Sequence, residues 1–259
     1  MAEGGKIMKV NKKRISLIAS FVILVLVLIV TLCFNIQEEQ LSKSEVEQLR
    51  VLNGYKTYAI YNENFSYVEI SMRTHIERCD TFAYCEVISK PYRVPIYLTE
   101  EDKDKNPDQL PKLLMYDIKI IKDSEGIYEK GAITNFAYGR ANQANAPTPK
   151  VGEKIIIPIT LGEPDSTAEN YAGFRGYYYI TDEGFGISAF EEEPETYYSG
   201  KTAENIIKSL KKTDAEREAY LAKKNEMYEK SGGKYGFTSI EMLREQIKEK
   251  LEAKKNAEK

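Results

Sequence analysis

Residues 113–122 read LLMYDIKIIK and residues 154–161 read KIIIPITL. In the first stretch Tyr116, Ile118 and Ile120 alternate with Asp117 and Lys119, the period-two rhythm of a strand with one face in a core and the other in solvent. The second is a β-branched run of strand length. Working outward, the same habit recurs in YKTYAIY (55–61), FSYVEISM (65–72), YCEVIS (84–89), YRVPIYL (92–98), FRGYYYIT (174–181) and FGISAF (185–190). Turn chemistry separates several of them: NEN at 62–64, DSEG at 123–126, GEPDS at 162–166 and DEG at 182–184. Short alternating strands at regular spacing predict a mainly β domain over residues 54–190, an immunoglobulin-like antiparallel β-sandwich. Pro95 and Pro158 interrupt two strands; proline has no N–H to give a ladder, so both strands are expected at an edge or bulged.

The chain changes character on either side. Residues 133–153, ITNFAYGRANQANAPTPKVGE, lose all periodicity after Tyr138 and predict a long loop, the kind that is usually functional. Residues 191–200 open with EEEPE and read as an acidic linker, and residues 201–259 as a charged helical region. In that region Thr213 with Glu216, and Thr238 with Glu241, form capping boxes, and SGGKYG (231–236) separates the two runs. Ile240, Leu243, Ile247 and Leu251 make a narrow apolar stripe, expected to pack on the preceding helix or on the β domain. Together they predict a C-terminal helical hairpin.

At the other end, residues 15–34 read ISLIASFVILVLVLIVTLCF, an uncharged stretch long enough for the ~30 Å core of a bilayer. Lys6, Lys9, Lys12, Lys13 and Arg14 precede it and the acidic NIQEEQ follows, so the N-terminus is expected inside and the C-terminus outside. The run is longer than a signal-peptide core and lacks a small-x-small site. The reading is a cytoplasmic basic tail (1–14), a transmembrane signal anchor (15–36) and a short helical juxtamembrane stalk (37–53) before the β domain.

Charge is uneven. Residues 35–200 carry 17 Lys+Arg against 28 Asp+Glu, whereas residues 201–259 carry 15 against 11. An acidic body argues against nucleic acid as a partner. Cys79 and Cys85, in CDTFAYC, are expected to form a local disulfide in an oxidising compartment. Zinc is the weaker alternative, because His75 is the only histidine and four ligands are wanted. Residues 102–108, DKDKNPD, start like a calcium loop, but Pro107 stands where the turn glycine belongs and Leu113 where the closing glutamate belongs. No metal and no cofactor is expected, and no catalytic residue stands out.

Nineteen tyrosines and no tryptophan make up the aromatic balance with nine phenylalanines. Tyr177, Tyr178 and Tyr179 place aromatics on both faces of one strand, so one face is expected in the core and the other free for contact. The candidate binding surface is Tyr171, Phe174, Tyr177 and Tyr179, with Asn142 and Asn145 from the long loop. The functional expectation is a non-catalytic binding or assembly module of a bacterial cell envelope, held in the membrane through residues 15–36, with an envelope protein or polymer as partner. Two rivals remain: an envelope hydrolase using paired carboxylates, and an accessory subunit that docks through its C-terminal helix.

Overall fold

The computed structural model describes residues 40–58, 72–97, 100–138, 147–162, 168–172, 176–192 and 194–257. The chain forms two compact units, Met1–Glu39 and Gln40–Lys259. The first, with the expected anchor, lies outside the described residues. Among the described residues no helix is long and apolar enough to cross a membrane.

The second unit is a barrel clothed in helices. In chain order its elements are α1 (Lys43–Asn53), α2 (Met72–Arg78), β1 (Thr81–Val87), β2 (Tyr92–Pro95), β3 (Lys112–Asp123), β4 (Ile133–Tyr138), β5 (Lys154–Leu161), β6 (Asn170–Ala172), β7 (Tyr178–Ile180), β8 (Gly186–Ser188), α3 (Ala203–Ser209), α4 (Asp214–Lys230) and α5 (Ile240–Ala257). β1 pairs antiparallel with both β3 and β5; β3 pairs with β4, β4 runs parallel to β6, and β6 returns to β5. Those five strands close on themselves. β2 adds to β3, and β7 and β8 extend β5. The alternation predicted by the sequence is present, but the strands form a closed ring instead of the two facing sheets of an immunoglobulin-like sandwich. Closure removes strand edges that a sandwich must protect. A bulge between Tyr84 and Cys85 bends β1, the strand with neighbours on both sides of the seam.

Alternation decides what fills the ring. Ala83, Cys85 and Val87 of β1, Tyr116, Ile118 and Ile120 of β3, Phe136 of β4 and Ile155, Ile157 and Ile159 of β5 form one buried cluster. The intervening residues Phe82, Ile156, Tyr178 and Ile180 point the other way, into a second cluster built with Met72 and Ile76 of α2 and Ile206, Ile207 and Leu210 at α3. Each fully buried side chain of this size stabilises by about 1.5–3 kcal/mol relative to exposure.

The two prolines have different fates. Pro95 lies in β2, which pairs only with β3, as an edge placement requires. Pro158 lies in a central strand: β5 pairs with β7 through residues 154–156 and with β6 through residues 159–161. Pro158 stands where the neighbour changes, so its missing N–H falls in a gap in the ladder and not at a sheet edge.

Several boundaries move. Residues 133–138, read as loop, are β4, and β6 was not foreseen. Of residues 55–61, 55–57 carry no strand, Tyr58 makes a single bridge to Phe190, and 59–61 lie outside the described residues. The expected strand 65–72 also falls there, except Met72, which opens α2. Residues 40–53 of the expected stalk belong to the second unit. α1 has a complete Ser42–Glu45 capping box, buries Val46, and sends Arg50 to the Ser188 carbonyl at 2.9 Å. Just before it, Leu41 N–H donates to Gly200 O at 3.0 Å. Gly200 has φ +86°, and a Cβ there would lie 2.8 Å from Leu41 O, so this crossing needs glycine. The acidic linker is also tied in: Glu192 accepts from the Tyr178 hydroxyl at 2.9 Å and from Tyr198 N–H at 2.8 Å.

The C-terminal region is helical, as expected. Thr213 and Glu216 cap α4 as a box. α5 starts one residue later than its motif suggested, with Ser239 Oγ accepting from Met242 N–H at 3.1 Å. Its stripe is used internally: Leu243 and Ile247 are buried against Ile127, Tyr220 and Phe237, with Leu251 alongside.

Candidate functional site

Inward residues of β3 and β4 fill the barrel, so their neighbours face out. Near one end this outer face is apolar, with Leu113, Met115, Ala137 and Ala168 buried beneath Tyr92, Val94, Ile96 and Tyr171. One step along, it turns polar. Asp117 and Asn135 are directly opposite each other on the two strands. The Tyr92 hydroxyl donates to Asp117 Oδ1 at 2.8 Å, and Asp117 N–H donates to Ser89 Oγ at 2.8 Å. Asn135 Oδ1 accepts from Glu169 N–H at 2.9 Å, while Asn135 N–H donates to Glu169 Oε2 at 3.2 Å. Thr134 Oγ1 donates to that same Oε2.

This arrangement leaves two groups open. Asp117 Oδ2 and Asn135 Nδ2 have no hydrogen-bond partner among the described residues. Asn135 is 7% exposed and its side-chain amide keeps contact with solvent. Burial, followed by the bond to Asp117 and the charges of Asp117 and Glu169, pushes the Tyr92 phenol well above its ordinary value. Tyr92 therefore remains a neutral donor and holds Asp117 in one orientation. The face presents a carboxylate acceptor, an amide donor and a half-buried ring, a set suited to binding a polar ligand.

A second polar group lies where the hairpin meets the barrel. Asp80, 3% exposed, accepts from Lys224 Nζ at 2.9 Å, from Leu161 N–H at 2.6 Å, and from the Tyr220 hydroxyl. Lys212 Nζ donates to Cys79 O at 2.8 Å, and Lys212 N–H donates to Glu125 Oε1 at 2.8 Å. Arg217 closes on Glu125 Oε2 at 3.2 Å. Asp123 collects the hydroxyl of Thr81 and the N–H groups of Glu125, Ile127 and Tyr128, fixing the turn after β3. Asp80 with Lys224 and Glu125 with Arg217 are ion pairs, Lys212 is held by backbone carbonyls, and together they act as a fastener between α4 and the barrel. Grooves of about 390 and 540 Å³ flank α5, the first floored by Met227, Tyr235 and Phe237, the second by Ile127, Tyr128 and Ile133.

The residues singled out from sequence fare unevenly. Tyr177 and Tyr179 are not on a surface: they are 0% and 5% exposed inside the barrel cluster, and Tyr55 stacks on Tyr179 with centroids 4.5 Å apart. Tyr178, on the opposite face, is covered by α2 and α3. Alternation could show that the two faces differ, but not that helices distant in sequence cover the outer one. Tyr171 is half-buried at the apolar end of the outer face, next to the polar patch. Phe174, Asn142 and Asn145 lie outside the described residues.

Cys79 and Cys85 are both buried free thiols. Cys79 belongs to the cluster under α2 and Cys85 to the barrel interior, and an extended strand at ~3.3 Å per residue lies between them. A disulfide needs Cα atoms within about 7 Å, which this strand prevents. Burial raises the Cys79 thiol to about 12 and pushes Cys85 up as well. Among the described residues, no three His, Cys, Asp or Glu side chains gather as metal ligands. Sequence reading missed Asp117 and Asn135. The only signal was Asp117 and Lys119 in LLMYDIKIIK and Asn135 in ITNFAY at outward positions, which any partly solvated face would show. No protein family, no characterised protein and no solved structure matches this chain.

Proposed function

We propose that this protein is a membrane-anchored, extracytoplasmic binding or assembly module of a bacterial cell envelope, acting without catalysis, and that its contact surface is the outer face of β3 and β4. The observation that carries this reading is the pair of open groups, Asp117 Oδ2 and Asn135 Nδ2, held in place by Tyr92 and Glu169. Supporting it, the ring order follows a known plan. Counting barrel strands alone, the first pairs with the second and fourth, and the third runs parallel to the fifth. That is the connectivity of OB-type Greek-key barrels, which bind polymeric ligands on the face of their second and third strands. The analogy is one of fold and transfers no residue. The uncharged run at 15–34 behind five basic residues supports the address.

The accessory-subunit reading places docking on the C-terminal helix. Leu243 and Ile247 of that helix pack on Ile127, Tyr220 and Phe237 within the chain, so a partner would meet its other side chains. The test of the proposal is protease added to intact cells. Degradation of the C-terminal domain, with sedimentation of the wild-type chain alongside envelope material, is the expected result. A domain protected until the cells are lysed overturns it.

A further inference from the structure

α1 carries four aliphatic side chains, Val46, Leu49, Val51 and Leu52, and fully buries only the first. Val46 is 3% exposed, whereas Val51 and Leu52 are 73% and 81% exposed, more than any other large hydrophobic among the described residues. A helix turns about 100° per residue, so Val51 and Leu52 fall on either side of the face opposite Val46. Ser44 and Gln48 complete that outward face, and both are exposed. It bears no charge. The carboxylates at its margins are engaged: Glu45 closes the capping box with Ser42, and Glu47 pairs with Arg50 at 3.2 Å. Single exposed aliphatic residues need no explanation, but an adjacent pair on an uncharged helix face is what an interfacial helix presents to lipid.

The length of chain before α1 names the occupant. The expected anchor ends at residue 36, and the four peptide units from there to Gln40 span at most about 14 Å. Gln40 bridges Lys201, and Leu41 N–H donates to Gly200 O at 3.0 Å, so the domain begins where that short tether ends. α1 starts two residues later, and its whole length is about 16 Å. A second copy would have to be recruited, whereas the tether keeps the bilayer near α1 at high effective concentration. Charge does not draw the face there: Lys43 and Lys56 stand against Glu153, Asp182 and Glu183, whose fields reach Tyr55 just past the helix. The contact is apolar. We propose that the Val51–Leu52 face of α1 seats in the interfacial layer of the bilayer that holds the anchor; this rests on the membrane-anchored reading above.

The chain has no tryptophan, so Leu52→Trp supplies a single fluorescent reporter at a position open enough to accept it. The full-length variant is reconstituted in phosphatidylcholine vesicles with plain or brominated acyl chains, and again with phosphatidylglycerol added. The expected result in both compositions is emission shifted to the blue and lost on bromination, as for side chains seated about 5–10 Å into the interface. Adding Val51→Asp, at an equally open position, is expected to restore water-like emission that bromination leaves intact. Ile133→Trp, 51% exposed beside α5, controls for tryptophan's own preference for interfaces and is expected to stay unquenched. Water-like, unquenched emission from Leu52→Trp overturns the proposal, as does equal quenching of Ile133→Trp or quenching that survives Val51→Asp. Quenching that appears only with phosphatidylglycerol overturns it in favour of charge attraction. A blue shift that grows with protein density, without quenching, overturns it in favour of a second copy. The two readings fail separately. A chain that floats with the vesicles while Leu52→Trp stays unquenched keeps its anchor and loses this contact, whereas a chain that does not float removes the anchored reading itself.

Discussion

Replacing Asp80 by Asn should loosen the helical hairpin from the barrel, and the structure sets the size of the effect. The carboxylate is buried and its side chain is 4% exposed, against 15% for Lys224. At 2.9 Å the pair has a gross attraction of about 6 kcal/mol if the effective dielectric constant is ~20. Part of that is recovered in the variant, because Lys224 borders the groove beside α5 and its ammonium can turn toward water. The Tyr220 hydroxyl bonds Oδ1 and Leu161 N–H bonds Oδ2, so the single amide oxygen of Asn keeps one of these donors as a weaker, uncharged acceptor and loses the other. The net loss should be about 3 kcal/mol, within the usual cost of leaving one member of a buried ion pair alone. For a domain of this size that lowers Tm by about 6–12 °C. Urea and thermal unfolding of the full chain in micelles provide the measurement, with Lys224→Met and the double variant completing the cycle. The double variant should lose less than the sum of the single ones, since no ammonium is then left without its partner. A single-variant loss below about 1 kcal/mol, or strict additivity, would refute the account of the fastener.

Four further outcomes follow from the same structure. A thiol reagent at pH 8 should leave Cys79 and Cys85 unmodified in the folded protein and label both after denaturation without any reductant, because both are buried thiols with raised pKa values; protection that persists until a reductant is added would indicate a bridge. The phenols of Tyr128, Tyr178 and Tyr220 are all raised, chiefly by burial, so their stabilising contribution is complete below the ordinary phenol value near 10 and declines as pH rises past it; unfolding free energies that stay flat from pH 9 to 11 would contradict this. Gly236→Ala should cost more than about 2 kcal/mol, since φ is +85° and the new Cβ would strike the Lys224 carbonyl and Tyr228 N–H of α4, and loss of helical circular dichroism in a melt would register it. Leu243→Ala, at 0% exposure, should cost about 3 kcal/mol, whereas Leu52→Ser, at 81% exposure, should stay within about 0.5 kcal/mol by the same melts.

The sequence by itself determined what is local. Alternation in residues 113–122 and the apolar run at 154–161 located β3 and β5 because the strand period puts every second side chain on one face, a property of the backbone alone. Thr213 and Glu216 located the start of α4 because a capping box closes within four residues. The tertiary structure decided which strands pair, and therefore that the sheet closes through β1 on one side and the parallel β4–β6 contact on the other. Period two reports that a face is buried, not by what, so it fits a sandwich and a barrel equally well. The short parallel strand β6 carries no period of its own, and β4, mixed in composition, becomes a strand because β3 and β6 supply its ladder. The same limit explains the site. Tyr177 and Tyr179 were expected on a contact face but fill the barrel, while helices from elsewhere in the chain cover Tyr178, and Asp117 and Asn135 became a pair only when register set them side by side. Burial and register are sums over contacts distant in sequence, and those sums are settled by the folded chain as a whole.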